Sequence, residues 1–454
     1  MNCLRMAICG LSLAGSLLAV LAQPLIQPQV LHTFVGGAPY PTGPVRGPDG
    51  ALYGTSQREG LHGNGNVYRI TTNGVYTSIA DFWSCPDCGI PPDFAPVLAG
   101  DGKFYGGTRG TSSGYHTRSG SIYSVTTNGL LKSVTIFYQT NGGIPDTWAV
   151  GSDGLVYGTT WLPGPDNYGN VFKVSTNGDV STLRWFSGTN EGYRLTLGSD
   201  GNFYGFGYAG FTYPGFTNGV LLRMTPDAEF TTMGFDGTNI YGMTLTLGWD
   251  GSFYGFGGGA PGDHGGIARM TTNGAFTFVA SLNGTPGLDP SAPLARGDDG
   301  NFYGTTRADT ISRLGEGGTV LRVTTNGILN VLAIFSKTNG AVPNDLAYGD
   351  DGNLYGTTIS ENGENPGSCV LFRVNIASVP PVIQSSSATN GQFTLTWSAL
   401  YGRTYQPQYC TDMTVANWTN LGASVLATNS KMTTTDLTIQ SSQKFYRVAL
   451  LPAP

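Results

Sequence analysis

Charge is scarce in this chain: Asp, Glu, Lys and Arg make up 11% of its 454 residues, against roughly 25% in ordinary globular proteins. The formal net charge is −6, and the Lys and Arg residues are scattered. No basic stripe exists for nucleic acid or for an anionic membrane surface. Histidine is scarcer still, with His32, His62, His116 and His264 the whole complement. Together with the lack of Gly-x-Ser-x-Gly, His-Glu-x-x-His or a phosphate-cradling loop, this argues against a nucleophilic or zinc hydrolase and gives no cofactor or metal site. No window carries a 3.6-residue apolar period, so helical solenoids are excluded. No apolar run reaches the ~20 residues that span a bilayer.

What the chain has instead is glycine, 69 residues, with 23 Tyr and 22 Phe. They are organised by one stretch, Asp299-Gly-Asn-Phe-Tyr-Gly-Thr-Thr306, versions of which begin at Asp49, Asp101, Asp153, Asp200, Asp250, Asp299 and Asp351. A period of about 50 residues with strand-like segments is the signature of propeller blades. Asp-Gly reads as a two-residue type I′ hairpin turn, and the Phe-Tyr-Gly-Thr-Thr after it as a half-buried strand. A second turn cue follows at Asn73-Gly74, Asn128-Gly129, Asn177-Gly178, Asn273-Gly274 and Asn326-Gly327. The fourth copy degenerates to Thr225-Pro226-Asp227-Ala228. Each unit is therefore four antiparallel strands, a to d, with Asp-Gly joining a to b and Asn-Gly joining c to d.

The seventh unit stops after Val370–Val374, while Gln29–Phe34 resembles a fourth strand that has no a, b or c before it. The expected fold is all-β: a seven-bladed β-propeller over residues 23–377 closed by the N-terminal strand, a linker at 378–383, and a small β-sandwich over 384–454. Closure removes exposed sheet edges. In the sandwich, Trp397 and Trp418 are expected in the core.

Because strands a and c run the same way, both tight turns fall on one face of the ring. The long b-to-c and d-to-a loops then fall on the other. Those loops carry Trp83, Tyr115, Trp161, Tyr168, Tyr208, Phe211, Tyr213 and Phe216, side chains suited to stacking on sugar rings or anchoring a partner. Glu59, Asp166, Glu191, Asp263 and Glu316 read as solvated loop charges. Arg or Lys recurs in strand c at Arg69, Lys173, Arg223, Arg269, Arg322 and Arg373, with Ser124 breaking the series. These cations read as pairing with a neighbouring blade or facing solvent rather than as a ligand ring. The turn Asp residues lack the closely spaced oxygen ligands that calcium needs.

Residues 1–22, with Arg5, an apolar run over Ala14–Ala22 and a small-residue site at its end, read as a signal peptide. The expected location is secreted, cell-surface or periplasmic, with no membrane span in the mature monomer. In that compartment Cys85 and Cys88 are expected to form a local disulfide. Cys369 and Cys410 are expected not to be bonded to each other.

The unit Gly151-Ser-Asp-Gly-Leu-Val-Tyr-Gly-Thr-Thr160 followed by Asn170-Val-Phe-Lys-Val-Ser-Thr-Asn-Gly178 resembles the GloVer tandem repeat of exported bacterial proteins with a choice of C-terminal anchor. The likeness covers roughly residues 29–375 and implies export and repeat architecture; it supplies no catalytic residues. Leu395-Thr-Trp397 followed by Tyr405-Gln-Pro-Gln-Tyr409 looks like two strands of a fibronectin type III domain. The functional expectation is a non-catalytic binding or adhesion propeller that recognises a glycan or a surface protein through the aromatic loops. The alternative is a polysaccharide-degrading hydrolase or lyase with its site in the central channel, where carboxylates from distant blades would converge.

Overall fold

In a computed structural model the turn cues close a hairpin in every repeat. The structure describes residues 6–12, 25–35, 40–89, 91–110, 120–137, 143–161, 169–175, 177–186, 194–208, 211–212, 215–216, 219–233, 244–257, 265–282, 288–290, 292–308, 317–336, 340–359, 369–376, 381, 383–389, 391–399, 403–415, 417–427, 431–437 and 443–451. The turns differ from the type I′ expectation. Gly47 N–H donates to Ala51 O at 2.8 Å and Gly50 N–H to Gly47 O at 3.2 Å, a three-residue loop in which only Gly50 is left-handed, at φ 74°. This is the type I turn with a following glycine bulge. The Asn-Gly turns are built alike, with Gly74 at φ 90°. In the fourth repeat Ala228 takes that place at φ 59°, where its Cβ is disfavoured.

Among the described residues of Gln27–Arg296 and Phe302–Val374, six four-stranded antiparallel sheets and one five-stranded sheet follow, besides a two-stranded hairpin. The first is Val45–Arg46, Leu52–Ser56, Asn66–Ile70 and Tyr76–Asp81. The next five repeat this order, and the sixth carries Leu288–Pro290 as an extra strand. The seventh consists of Pro343–Tyr348, Leu354–Thr358 and Val370–Val374, with Gln29–Thr33 as its fourth strand. Gln29 lies opposite Arg373 and Thr33 opposite Val370.

The Phe-Tyr dipeptide explains how the sheets stack. Successive side chains of a strand point to opposite faces, so Phe faces one neighbouring sheet and Tyr the other. Tyr53 meets Phe104 at 4.5 Å between ring centroids, Tyr157 meets Phe203 at 4.6 Å, Tyr204 meets Phe253 at 4.8 Å and Tyr254 meets Phe302 at 4.2 Å. Each such pair adds about 0.5–1.5 kcal/mol beyond burial of its area. Between the seventh sheet and the first, Phe34, Leu52, Tyr68, Tyr355 and Leu371 form one buried cluster.

The turn Asp residues anchor this arrangement. Asp49 Oδ1 accepts the N–H of Ala51, and its Oδ2 accepts the Tyr53 hydroxyl at 2.9 Å and Arg69 Nη2 at 2.7 Å. Asp250 holds Tyr254 and Arg269 in the same way. Where Ser124 replaces the cation of strand c, Lys103 reaches Asp101 at 2.6 Å instead. Glu59 corrects its reading as a solvated loop charge. It is 7% exposed and accepts from His32 Nε2 at 2.9 Å, Tyr76 OH at 2.5 Å and the Val35 N–H at 3.1 Å. Cys85 and Cys88 are joined in a disulfide, and Cys369 and Cys410 are buried thiols.

The second compact unit is built mainly on Asn375–Pro454. Ile383–Thr389, Gln392–Ser398 and Lys431–Asp436 form one sheet, and Thr404–Cys410 and Gln443–Leu450 with two short strands form another. Both contribute to a core of Phe393, Trp397, Tyr405 and Tyr446. Trp418 is not part of that core, a correction to its expected place. It is half-buried, with the Arg447 guanidinium 4.2 Å above its ring. Met6–Ser12, inside the stretch read as a signal peptide, pairs antiparallel with Gln443–Leu450. Among the described residues no helix is long and apolar enough to cross a membrane.

Candidate functional site

In each sheet strand a begins, and strand b ends, at the rim opposite the Asp-Gly turn. The residues at those two points line a cavity of about 590 Å³ to which all seven sheets contribute: Gln57, Arg109, Asp146, Arg194, Thr244, Arg307 and Asp345 are one from each. Its volume lies in the range of small-molecule sites. Its walls carry three carboxylates, Asp93, Asp146 and Asp345, three guanidinium groups, and the rings of Tyr40, Phe94 and Trp148.

The three carboxylates are held differently. Asp93 accepts from Arg109 Nε and from Gln57 Nε2 at 2.9 Å; burial still pushes its carboxyl above the ordinary aspartate range, against the pull of Arg109 and Gln57. Asp146 is also pushed up by burial, with Arg194 opposing and the charge of Asp93 adding to the rise. Asp345 accepts the Gly43 N–H at 2.9 Å and Asn344 Nδ2 at 3.0 Å. Burial raises it too, against the Gly43 hydrogen bond and the charges of Arg194 and Arg307. That contact requires glycine at 43, since an added Cβ would stand 2.0 Å from Asp345 Cβ. Among the described residues Arg194 and Arg307 form no ion pair. Two nitrogens of the lining residues, Trp148 Nε1 and Arg307 Nε, are shut off from solvent with no hydrogen-bond partner.

None of these charged residues was singled out in the sequence reading, although a signal was there. The carboxylates follow Pro92-Asp93, Pro145-Asp146 and Pro343-Asn344-Asp345, each where the chain enters strand a. Arg109, Arg307 and Ile359 occupy the position after the Tyr-Gly-x-Thr end of strand b, and Gln57 the same position after Tyr53-Gly-Thr-Ser56. Trp161 and Tyr208 hold the same repeat position in the third and fourth sheets. Trp83 lies elsewhere: it is 57% exposed in the turn after the first sheet and stacks on His62 at 4.4 Å. Phe211–Thr212 and Gly215–Phe216 pair as a small hairpin beyond the second strand of the fourth sheet. Tyr115, Tyr168 and Tyr213 lie outside the described residues.

A family model of the Gloeobacter/Verrucomicrobia repeat matches residues 40–256 and again 195–415. The chain belongs to this repeat family. No curated protein matches it. Among solved structures, a streptogramin B lyase superposes with a TM-score of 0.53 at 17% identity, covering 76% of this chain and 95% of the lyase. Virginiamycin B lyase from Staphylococcus aureus gives 0.52 at 16% identity, covering 77% and 99%. A catalytically inactive histidine-to-alanine variant of that enzyme, solved with quinupristin, gives 0.50 at 14%, covering 82% and 99%. At such identities the likeness shows the propeller-like fold of the repeats and no shared chemistry. No histidine is among the residues lining the cavity.

Proposed function

We propose that the protein is an exported binding propeller that takes a glycan or a similar polar ligand in the central cavity, at the face of the long loops. Seven blades close into one ring, with Gln29–Thr33 as the outer strand of the last. The C-terminal unit is a fibronectin type III-like sandwich. The observation that carries the reading is the cavity itself, where residues from seven sheets bring carboxylates, guanidinium groups and aromatic rings around about 590 Å³. Carboxylates and amides suit hydroxyl recognition, and rings suit the apolar faces of sugars. Trp161 and Tyr208 share a repeat position with four lining residues, Gln57, Arg109, Arg307 and Ile359.

The raised carboxyls of Asp146 and Asp345 support a second reading, a glycan hydrolase or lyase, since burial that makes a carboxyl hold its proton more firmly is one way of building a general acid. A glycan array, with a reducing-end assay on every bound member, separates the two. Binding without new reducing ends is the expected result. Reducing ends that vanish in both Asp146→Asn and Asp345→Asn would establish the enzyme instead, and an array without hits would remove glycans from the account.

A further inference from the structure

The cavity holds donors that no acceptor of the described residues engages. Of its three guanidinium groups only Arg109 is neutralised by a carboxylate at contact distance, Asp93. Arg194 and Arg307 form no ion pair among the described residues, and both buried orphan atoms of the lining, Trp148 Nε1 and Arg307 Nε, can only donate. A buried donor without an acceptor is costly. Among the acceptors, Asp345 Oδ2 is engaged by Gly43 and Asn344, which leaves its other oxygen and Asp146 to ligand hydroxyls. A neutral sugar offers these donors only hydroxyl and ring oxygens, whereas a ligand with its own carboxylate brings charge as well as acceptors, and planar guanidinium groups match carboxylate geometry.

Resting on the cavity as the binding site, we infer that its ligand is an acidic oligosaccharide containing uronic acid, with the sugar carboxylate on Arg307 and Arg194 and the ring hydroxyls on Asp146 and Asp345. Trp148 supplies an aromatic face beside them. Burial raises Asp146 and Asp345, so both take up a proton more readily than an exposed aspartate when an incoming carboxylate approaches.

The test is calorimetric titration of the full chain with trisaccharides of galacturonate, glucuronate and mannuronate, each beside its methyl ester. At least one acid is expected to bind, with its ester weaker by roughly tenfold or more. Arg307→Gln should abolish that difference, and Arg307→Lys should keep part of it; unchanged thermal unfolding of both variants shows that the ring is intact. Acid and ester binding equally, or no acid binding, overturns the inference. Should neutral glycans then bind and a cavity-filling Thr244→Trp block them, the cavity reading stands without its acidic ligand. If Thr244→Trp leaves every glycan bound, the cavity reading falls as well.

Discussion

At the scale of single residues, the repeated Asp shows how one side chain serves both turn and sheet. Oδ1 fixes the turn, and Oδ2 gathers a Tyr four residues on and, where present, a cation from strand c directly opposite that Tyr. This accounts for Arg69 and Arg269 without a ligand, whereas Arg373 reaches Thr72 O and Gln29 instead; the Asp-to-Tyr spacing itself was legible in the sequence, because it is local. The cavity carboxylates have no such local account. Burial raises Asp345, so folding disfavours its charged form. The resulting cost is absent below the ordinary aspartate value of about 3.9, grows as pH rises towards the raised folded value and is complete above it. Asp345→Asn keeps an oxygen for the Gly43 N–H and removes that cost. The variant is expected to be more stable than wild type at pH 7 by about 0.5–2 kcal/mol, as is common when a functional residue is replaced, with the gain gone near pH 3. Thermal unfolding across this range checks it, and a loss of stability at pH 7 would show that the carboxylate is structural.

At the scale of elements, the strands were readable and the turns only in part. Asp-Gly and Asn-Gly mark hairpins whichever glycine-containing turn is used, so position was legible and type was not. The N-terminal strand was recognised by its likeness to the fourth strands, but its clamp was hidden, because Glu59 looks like one more loop carboxylate. Burial pushes Glu59 up, yet hydrogen bonds from His32, Tyr76 and Val35 outweigh it and hold the carboxyl below its usual range. A lowered carboxyl stabilises the fold above the ordinary value of about 4.3, and that stability is lost as pH falls through the folded value. Glu59→Gln should therefore cost about 1–3 kcal/mol at pH 7, and the gap to wild type should close below about pH 4. Denaturant unfolding at several pH values measures it; a gap independent of pH would mean that shape, not ionisation, secures the strand.

At the scale of the whole molecule, the sequence hid the site for a geometric reason. The cavity draws a few residues from the rim of each of seven sheets, from Tyr40 to Ile359, at repeat positions whose residue type changes from copy to copy. Repeat reading averages such changes away, which is why the aromatic loops stood out and the charged rim did not. The most direct test of the cavity is to fill it and leave the loops alone. Thr244 is half-buried on the cavity wall, and Thr244→Trp places an indole in the space while Trp83 is untouched. Titration of this variant with the glycan that wild type binds most tightly should show binding abolished at unchanged melting temperature. Undiminished binding would place the site outside the cavity and contradict the account.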